Sequence, residues 1–364
     1  MRIEELDTPA VVVDWDVMQD NIRSLADYCR KHGIGLRPHT KTHKIPAIAK
    51  MQVQAGSKGI TVAKVGEAEV MAAAGLDDIL IAYPVLGLSK LDRLAKLARE
   101  RKITVGVDSM EAAEGISEAA KRAACRISIL IEFDMGMHRC GLQSPEALVN
   151  MARRVEELPG LQFAGIMFYP GHIWDLPPDQ FPMLLEVSQK IGEICEKLRQ
   201  HGLDCEVVSG GSTPTAYNSH LVRRLTEIRA GTYVFYDMNE VGVQACRLSQ
   251  CALKVLVTVI SNAVAGKAMI DGGSKTFSGD RLISGDKTGF GYVTEHPEIK
   301  FVSMSEEHGH LELSPSSYKP RVGERLSIIP NHVCACVNMH DQIYYHRKGI
   351  IEGMWTVEGR GKVR

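Results

Sequence analysis

Residues 37 to 44 read Arg-Pro-His-Thr-Lys-Thr-His-Lys, directly after the short apolar run Gly33-Ile34-Gly35-Leu36. Cationic and imidazole groups crowded at the end of a strand suit a reactive amine. Neighbouring positive charge and partial burial both disfavour an ammonium and so raise the nucleophilicity of Lys41. Taken alone, the cluster also reads as a solvated basic turn. A second grouping, Pro330-Asn-His332-Val-Cys334, sets an imidazole and a thiol at i and i+2. On an extended strand both would project from one face and could grip one ion, and this donor pair suits zinc. Two packed core side chains are the plainer reading of an isolated His-x-Cys.

These groups need elements to hold them. From about residue 34 to 235 short β-branched runs alternate with longer amphipathic segments, the pattern of parallel strands and crossover helices. Eight strands are expected, at 34–38, 59–63, 78–82, 103–107, 127–133, 163–168, 205–211 and 227–235. Asp108, with Glu111 three residues on, is expected to cap one helix, and Gly75 to close the segment that begins at Val65. Met18, Ile22, Leu25 and Cys29 share one face of another.

Eight parallel strands predict a closed (β/α)8 TIM-type barrel, whose chemistry lies just after each strand. The candidates there are Arg37–Lys44, Glu132–Gly141 with Asp134 and Arg139, Tyr169-Pro-Gly171-His172, Ser209-Gly210-Gly211-Ser212-Thr213 and Arg229-Ala-Gly231-Thr232-Tyr233. The last two turns carry glycines and hydroxyls of the kind that cradle phosphate, although glycine marks ordinary turns as well.

Beyond about residue 245 the texture changes to short alternating runs at 252–260, 266–271, 299–303, 324–329, 342–346 and 350–357, a mostly β second domain. Residues 279–300 and 313–321 are expected as its loops. The expected division is 12–240 for the barrel and 241–364, with residues 1–11, for the β domain.

Lys and Arg number 43 against 44 Asp and Glu, a net charge of −1, which gives no electrostatic reason to expect nucleic acid or a membrane surface. No apolar run is long enough to span a bilayer, and Met-Arg-Ile-Glu-Glu-Leu-Asp is unlike a signal peptide. A cytoplasmic enzyme of a small molecule is expected. The nine cysteines, odd in number and scattered, are expected to be mostly reduced.

A lysine closing the first strand, phosphate-type turns on the last two and a β domain behind resemble the alanine racemase fold type of pyridoxal-phosphate enzymes. The D-threonine aldolase and D-serine dehydratase branch is the closer resemblance. It is carried by Arg37-Pro-His-Thr-Lys41-Thr-His-Lys, by Asp134 to Gly141, and by Pro330-Asn-His332-Val-Cys334 with Asn338-Met-His-Asp341. It runs from Asp7-Thr8-Pro9-Ala10 to Glu358-Gly-Arg360-Gly.

The resemblance implies that Lys41 binds pyridoxal phosphate through its amine and that Arg139 faces the ring nitrogen. His39, Tyr169 and Ser209 would line the cofactor, and Gly210, Gly211, Ser212, Gly231, Thr232 and Tyr233 would hold its phosphate. His332 and Cys334 would bind a divalent metal, zinc first, with manganese or magnesium as harder alternatives. The implied substrate is a β-hydroxy-D-amino acid and the implied assembly a homodimer.

Two reactions fit that branch. Retro-aldol cleavage to glycine and an aldehyde needs a base for the β-hydroxyl, and His172 is the candidate; elimination to a keto acid and ammonia needs Lys41 to take the α-proton. Cys334 resembles the dehydratases, since the aldolases carry aspartate there. The segment Gly165-Ile-Met-Phe-Tyr169-Pro-Gly171-His172 resembles the aldolases, although their familiar histidine aligns nearer Asp175. The D-threonine aldolase reading is taken, with the dehydratase as its alternative. A racemase would need a second base, and Tyr318, Tyr344 and Tyr345 sit in no motif that supplies one.

Overall fold

A computed structural model describes residues 1–284, 289–314 and 316–364. It divides into two compact units, one of Ser24–Lys41, Pro46–Gly231 and Gly361–Arg364, the other of Met1–Arg23, Thr42–Ile45 and Thr232–Arg360. The strands in chain order are β1 (Ala10–Asp14), β2 (Gly35–Leu36), β3 (Ile60–Val62), β4 (Asp78–Ile81), β5 (Lys102–Val107), β6 (Ile127–Glu132), β7 (Leu161–Met167), β8 (Val207–Gly210) and β9 (Glu227–Ile228). They continue with β10 (Leu253–Ser261), β11 (Lys267–Ile270), β12 (Gly291–Val293), β13 (Lys300–Met304), β14 (Gly309–Glu312), β15 (Arg325–Pro330), β16 (Gln342–Arg347) and β17 (Ile350–Thr356).

The first unit is the expected eight-stranded parallel barrel, ordered β2-β9-β8-β7-β6-β5-β4-β3, and a parallel bridge between His39 and Thr61 joins β2 back to β3. Runs such as Ile127-Ser-Ile-Leu-Ile-Glu form strands because they are covered on both faces. Several strands are shorter than expected, β2, β3, β8 and above all β9. β9 ends at Ile228, and Thr232–Val234 turns as a 3-10 helix instead of extending the strand. Gly75, at φ +87°, closes the helix Val65–Ala73 as expected. Asp108 does not cap the next helix. Ser109 stands at that N-cap, and the Asp108 carboxylate instead accepts the Gly141 amide at 3.0 Å.

Charge is buried inside this barrel, and its two buried arginines are hydrogen-bonded. Arg37 donates to Glu227 at 2.9 Å and to Asp78 at 2.5 Å. Burial works against the Arg37 charge, yet the two carboxylates outweigh it and hold the guanidinium above its usual pKa. Arg229 donates to the Ser209 hydroxyl and to the Phe168 carbonyl, both at 2.8 Å. Unpaired buried charges would each cost several kcal/mol, so this layer stands or falls together.

The second unit is a sheet ordered β11-β14-β13-β12-β15-β10-β1-β16-β17, in which β10 also pairs β11 and so closes a six-stranded antiparallel barrel. One half of β10 pairs β1 and the other pairs β11. β12 falls inside 279–300, where only loop was expected, and β14 was not foreseen. Gly291-Tyr-Val is too short to show a period, and its glycine is needed because a Cβ there would lie 2.6 Å from Ile328. Residues 285–288 and 315 of the expected loops lie outside the described residues. Among the described residues no helix is long and apolar enough to cross a membrane.

Candidate active site

In the barrel unit the candidate groups lie just after the strands. Lys41 follows β2 in the turn Thr40–Thr42. The backbone before it is held from both sides: the His39 amide donates to Ala230 O at 3.0 Å, Thr40 Oγ1 to Thr61 O at 3.1 Å, and Thr61 Oγ1 to Arg37 O at 3.0 Å. The Lys41 amide leans on His39 Nδ1 at 3.4 Å. Two expectations about this cluster are corrected. Lys41 is exposed, not partly buried, and Arg37 lends it no uncompensated charge because Glu227 and Asp78 neutralise it. The turn places the amine outward while the charges fold inward.

After β6 the loop to Leu142 is organised by one carboxylate. Asp134 accepts the amides of Gly136 and His138 at 3.0 Å each, Gln143 Nε2 at 3.0 Å and His138 Nδ1 at 2.9 Å. Burial pushes its pKa up, but Gln143 and the two amides prevail and hold it at about 2. The loop presents Arg139, whose guanidinium lies 4.9 Å from the centroid of the Tyr169 ring, a cation–π contact. Glu132, Asp134, Met137, Arg139, Cys140 and Tyr169 line a small cavity there. At its base burial raises the Glu132 carboxyl, against the pull of Arg229 and Arg139.

His172 stands against the same loop. Its Nδ1 is buried and has no hydrogen-bond partner, and Gly136, at φ +115°, makes room for its ring: a Cβ there would come within 3.1 Å of His172 Nε2. A buried imidazole nitrogen without a partner is uncommon and suits a group that waits for one.

The β8 turn is less open than its residue types suggested. Ser209 is fully buried, donating to Glu227 at 2.7 Å while accepting from Arg229, so its hydroxyl supports the barrel interior. Ser212 uses its amide and hydroxyl on Thr215 Oγ1, at 3.2 and 3.0 Å. Gly210 and Gly211 remain as the bare backbone of the turn, Gly211 at φ +89°. Gly231 is buried at the end of this unit.

In the second unit His332 and Cys334 are not on a strand. β15 ends at Pro330, and His332 is the extended N-cap of the short helix Val333–Val337, with Cys334 in its first turn. The two side chains act on each other all the same, Cys334 raising the imidazole pKa. His332 Nδ1 lies 2.9 Å from Asp280 Oδ2, leaving Nε2 as the donor atom of the ring. Burial would lower the imidazole pKa, but Cys334, Asp237 and Asp280 outweigh it and hold it at about 10. The Cys334 sulfur lies 3.2 Å from Thr42 Oγ1 and 3.9 Å from Thr232 Oγ1.

Asp237 anchors this loop. One of its oxygens accepts the Val333 amide at 3.0 Å and the other the Glu240 amide at 3.1 Å; burial pushes its pKa to about 6. Glu240 is buried with one carboxyl oxygen unpartnered. Asp237, Glu240 and Asp280 were not foreseen. The first two had a signal, because Asp237-Met-Asn-Glu240 has capping-box spacing; Asp280, in a loop, had none.

Tyr233 is wholly buried in the 3-10 turn beside Thr232. Cys336 is buried with its sulfur on Thr276 O at 3.3 Å and its pKa pushed to about 12 by burial, which makes it a packing residue. His308 is exposed in the turn between β13 and β14.

Among the described residues no group of three or more His, Cys, Asp and Glu side chains is placed to hold a metal ion. His332 and Cys334 form a two-donor pair. Thiolate and imidazole are zinc donors, and an imidazole whose other nitrogen is held by a carboxylate is the arrangement that orients metal-binding histidines. The pair fits a metal with coordination positions left open. The barrel fits pyridoxal phosphate in residue chemistry, with an exposed amine, an arginine beside an aromatic ring and a bare glycine turn.

Residues 13–239 match the family described as "Alanine racemase, N-terminal domain" and residues 252–346 the "Putative serine dehydratase domain". The chain is 31% identical to a D-threonine aldolase of Arthrobacter sp, over 99% of this chain and 94% of the relative. It is 34% identical to the D-threo-3-hydroxyaspartate dehydratase of Delftia sp. (strain HT23), over 91% of each. The crystal structure of D-threonine aldolase from Filomicrobium marinum superposes with a TM-score of 0.93 at 31% identity, covering 100% of this chain and 98% of that one. A cysteine-to-alanine variant of D-threo-3-hydroxyaspartate dehydratase, in a metal-free form, superposes with a TM-score of 0.89 at 31% identity, covering 98% of each chain. The chain, with its lysine after β2 in the parallel barrel and a domain matching the serine dehydratase family after it, thus belongs to the alanine racemase N-terminal-domain family, in the branch of lyases whose members are named as aldolases and dehydratases.

Proposed function

We propose that this chain is a pyridoxal-phosphate- and divalent-metal-dependent lyase that cleaves β-hydroxy-D-amino acids to glycine and an aldehyde, as a D-threonine aldolase does. The observation that carries this is the full-length likeness to D-threonine aldolases. When bound, pyridoxal phosphate would supply the electron withdrawal and a divalent metal, zinc first, the Lewis acidity that such a cleavage needs.

This chain's residues do the rest. Lys41 would hold the cofactor through its exposed amine and, once displaced by the substrate, would supply the proton that the α-carbon gains when the Cα–Cβ bond breaks. Arg139, braced on Tyr169 and by the Asp134 loop, would hold the ring nitrogen; being permanently cationic, it would donate to that atom without protonating it. Gly210, Gly211 and Ser212 offer the phosphate their turn, Ser212 after release from Thr215. His172, with its buried unpartnered Nδ1, takes the hydroxyl proton. His332 and Cys334 bind the metal, and Asp280 orients His332. The working assembly is a homodimer.

Elimination to a keto acid and ammonia is the second reading, and Cys334 favours it: the relative whose cysteine variant was solved metal-free is a dehydratase. Incubating the holoenzyme with D-threonine and with D-serine, with and without a chelator, separates the readings. Glycine without keto acid establishes the aldolase and keto acid the dehydratase. Loss of chirality insensitive to chelator would overturn both in favour of a racemase.

A further inference from the structure

Away from the groups used so far, the barrel unit has a cleft of ≈ 490 Å³ lined by Ser89, Lys90, Arg93, Gly361, Lys362 and Arg364. Two elements build it. The helix Leu88–Ala98 brings Ser89, Lys90 and Arg93 from its first two turns, and the segment Gly361–Arg364 supplies the other wall. That segment is fixed: the Gly66 amide donates to Arg364 O at 2.9 Å and Arg93 Nη2 to the same oxygen at 3.2 Å. The approach is so close that a Cβ at Gly66 would lie 2.6 Å from that oxygen.

Four of the six lining residues are cationic. Arg93 is paired to Glu69, at 2.7 and 2.5 Å. Among the described residues, Lys90, Lys362 and Arg364 have no carboxylate side chain at ion-pair distance. Like charges converging on a concavity repel one another, so the arrangement gains most when an anion enters. A smaller adjoining cavity shares Lys90 and Arg364 and adds an apolar wall of Val65, Tyr83, Pro84 and Val85, with Lys64 Nζ 3.3 Å from the centroid of the Tyr83 ring.

We infer that this cleft binds a small polyanion, a molecule with two or more phosphate or carboxylate groups. The concavity and the net charge of −1 for the whole chain favour a small molecule over nucleic acid. Neither Lys90 nor Lys362 belongs to the machinery described above, and the inference does not depend on which lyase reaction is correct.

The test is calorimetric titration of the holoenzyme, cofactor and metal in place, with inorganic pyrophosphate and separately with citrate at about 0.15 M salt. Saturable binding of one equivalent per chain is expected; pyrophosphate alone marks a phosphate ligand, citrate alone a carboxylate one. The Lys90→Ala/Lys362→Ala variant should weaken binding by at least tenfold, since each lost charge-assisted contact is worth roughly that factor. Gly66→Ala should weaken it too, by displacing the Gly361–Arg364 wall while leaving every lining cation present. Thermal midpoints and metal content of the ligand-free variants verify that they are folded and loaded. Undiminished affinity in both variants would place the anion at the cofactor or metal and overturn the inference, as would the absence of saturable binding to either probe.

Discussion

Replacing Asp280 by asparagine keeps the shape of the group against His332 but removes its charge. The contact is a single one, Nδ1 to Oδ2 at 2.9 Å, between side chains 42% and 44% exposed. Loss of a carboxylate behind a metal-binding histidine commonly costs 10- to 100-fold in metal affinity. Half-exposure screens the pair, so the lower end applies: about tenfold, or ~1.4 kcal/mol. The assay is competition for zinc between the metal-stripped protein and a chromophoric chelator at fixed pH and salt. His332→Ala and Cys334→Ala should each lose zinc beyond the range of the assay, and His308→Ala, altering an exposed turn, should bind as the parent does. If Asp280→Asn binds zinc within twofold of the parent while melting normally, the carboxylate does not orient the imidazole. Zinc retained by His332→Ala would sink the metal site itself.

Three further outcomes are expected. Lys41→Ala should keep the fold, because its side chain is exposed, yet lose the yellow absorbance of the cofactor-loaded protein; a persistent band would refute its role. Asp134→Asn should destabilise the protein by about 2 kcal/mol at pH 7, from a carboxyl 4% exposed whose pKa falls from 3.8 to about 2 on folding. A depressed pKa gives stability that is full above pH ~4 and lost as pH falls through about 2, so denaturant titrations of the two proteins should converge in that window; a difference that is constant with pH would count against it. Arg37→Met should cost roughly 3–5 kcal/mol by leaving the buried Glu227 without its ion pair, while Asp78 keeps Lys102, and a loss under 1 kcal/mol in urea denaturation would show that the layer is not coupled.

Much of the barrel was legible because its strands are β-branched runs at regular intervals, and the lysine cluster because seven of its eight residues are titratable or hydroxylic. What stayed hidden was long-range. The partners that neutralise Arg37 lie 190 and 41 residues away, in β9 and β4, so nothing near Lys41 announced that the cluster turns its charge inward. His332 and Cys334 were picked out by type, but their i, i+2 spacing was read as extended when Pro330 ends β15 and a helical turn begins. β12 and β14 are too short for a period to emerge, and β2 and β9 shorter than their apolar runs because the chain bends into the 3-10 turns Thr40–Thr42 and Thr232–Val234.

The place of β1 carries a consequence for how this protein can be cut and made. Residues 10–14 lie between β10 and β16, antiparallel to one and parallel to the other. A strand synthesised early therefore waits, without its neighbours, until residues past Arg347 have emerged, and pairings of such span form slowly. The carboxy-terminal third expressed on its own would hold a gap where β1 belongs, with β10 and β16 each presenting a raw edge to other chains. Dissection at the apparent boundary near residue 240 should yield aggregates, and adding the first two dozen residues back, through a linker or as a separate peptide, is the cut that rejoins β16 and β17 to β10.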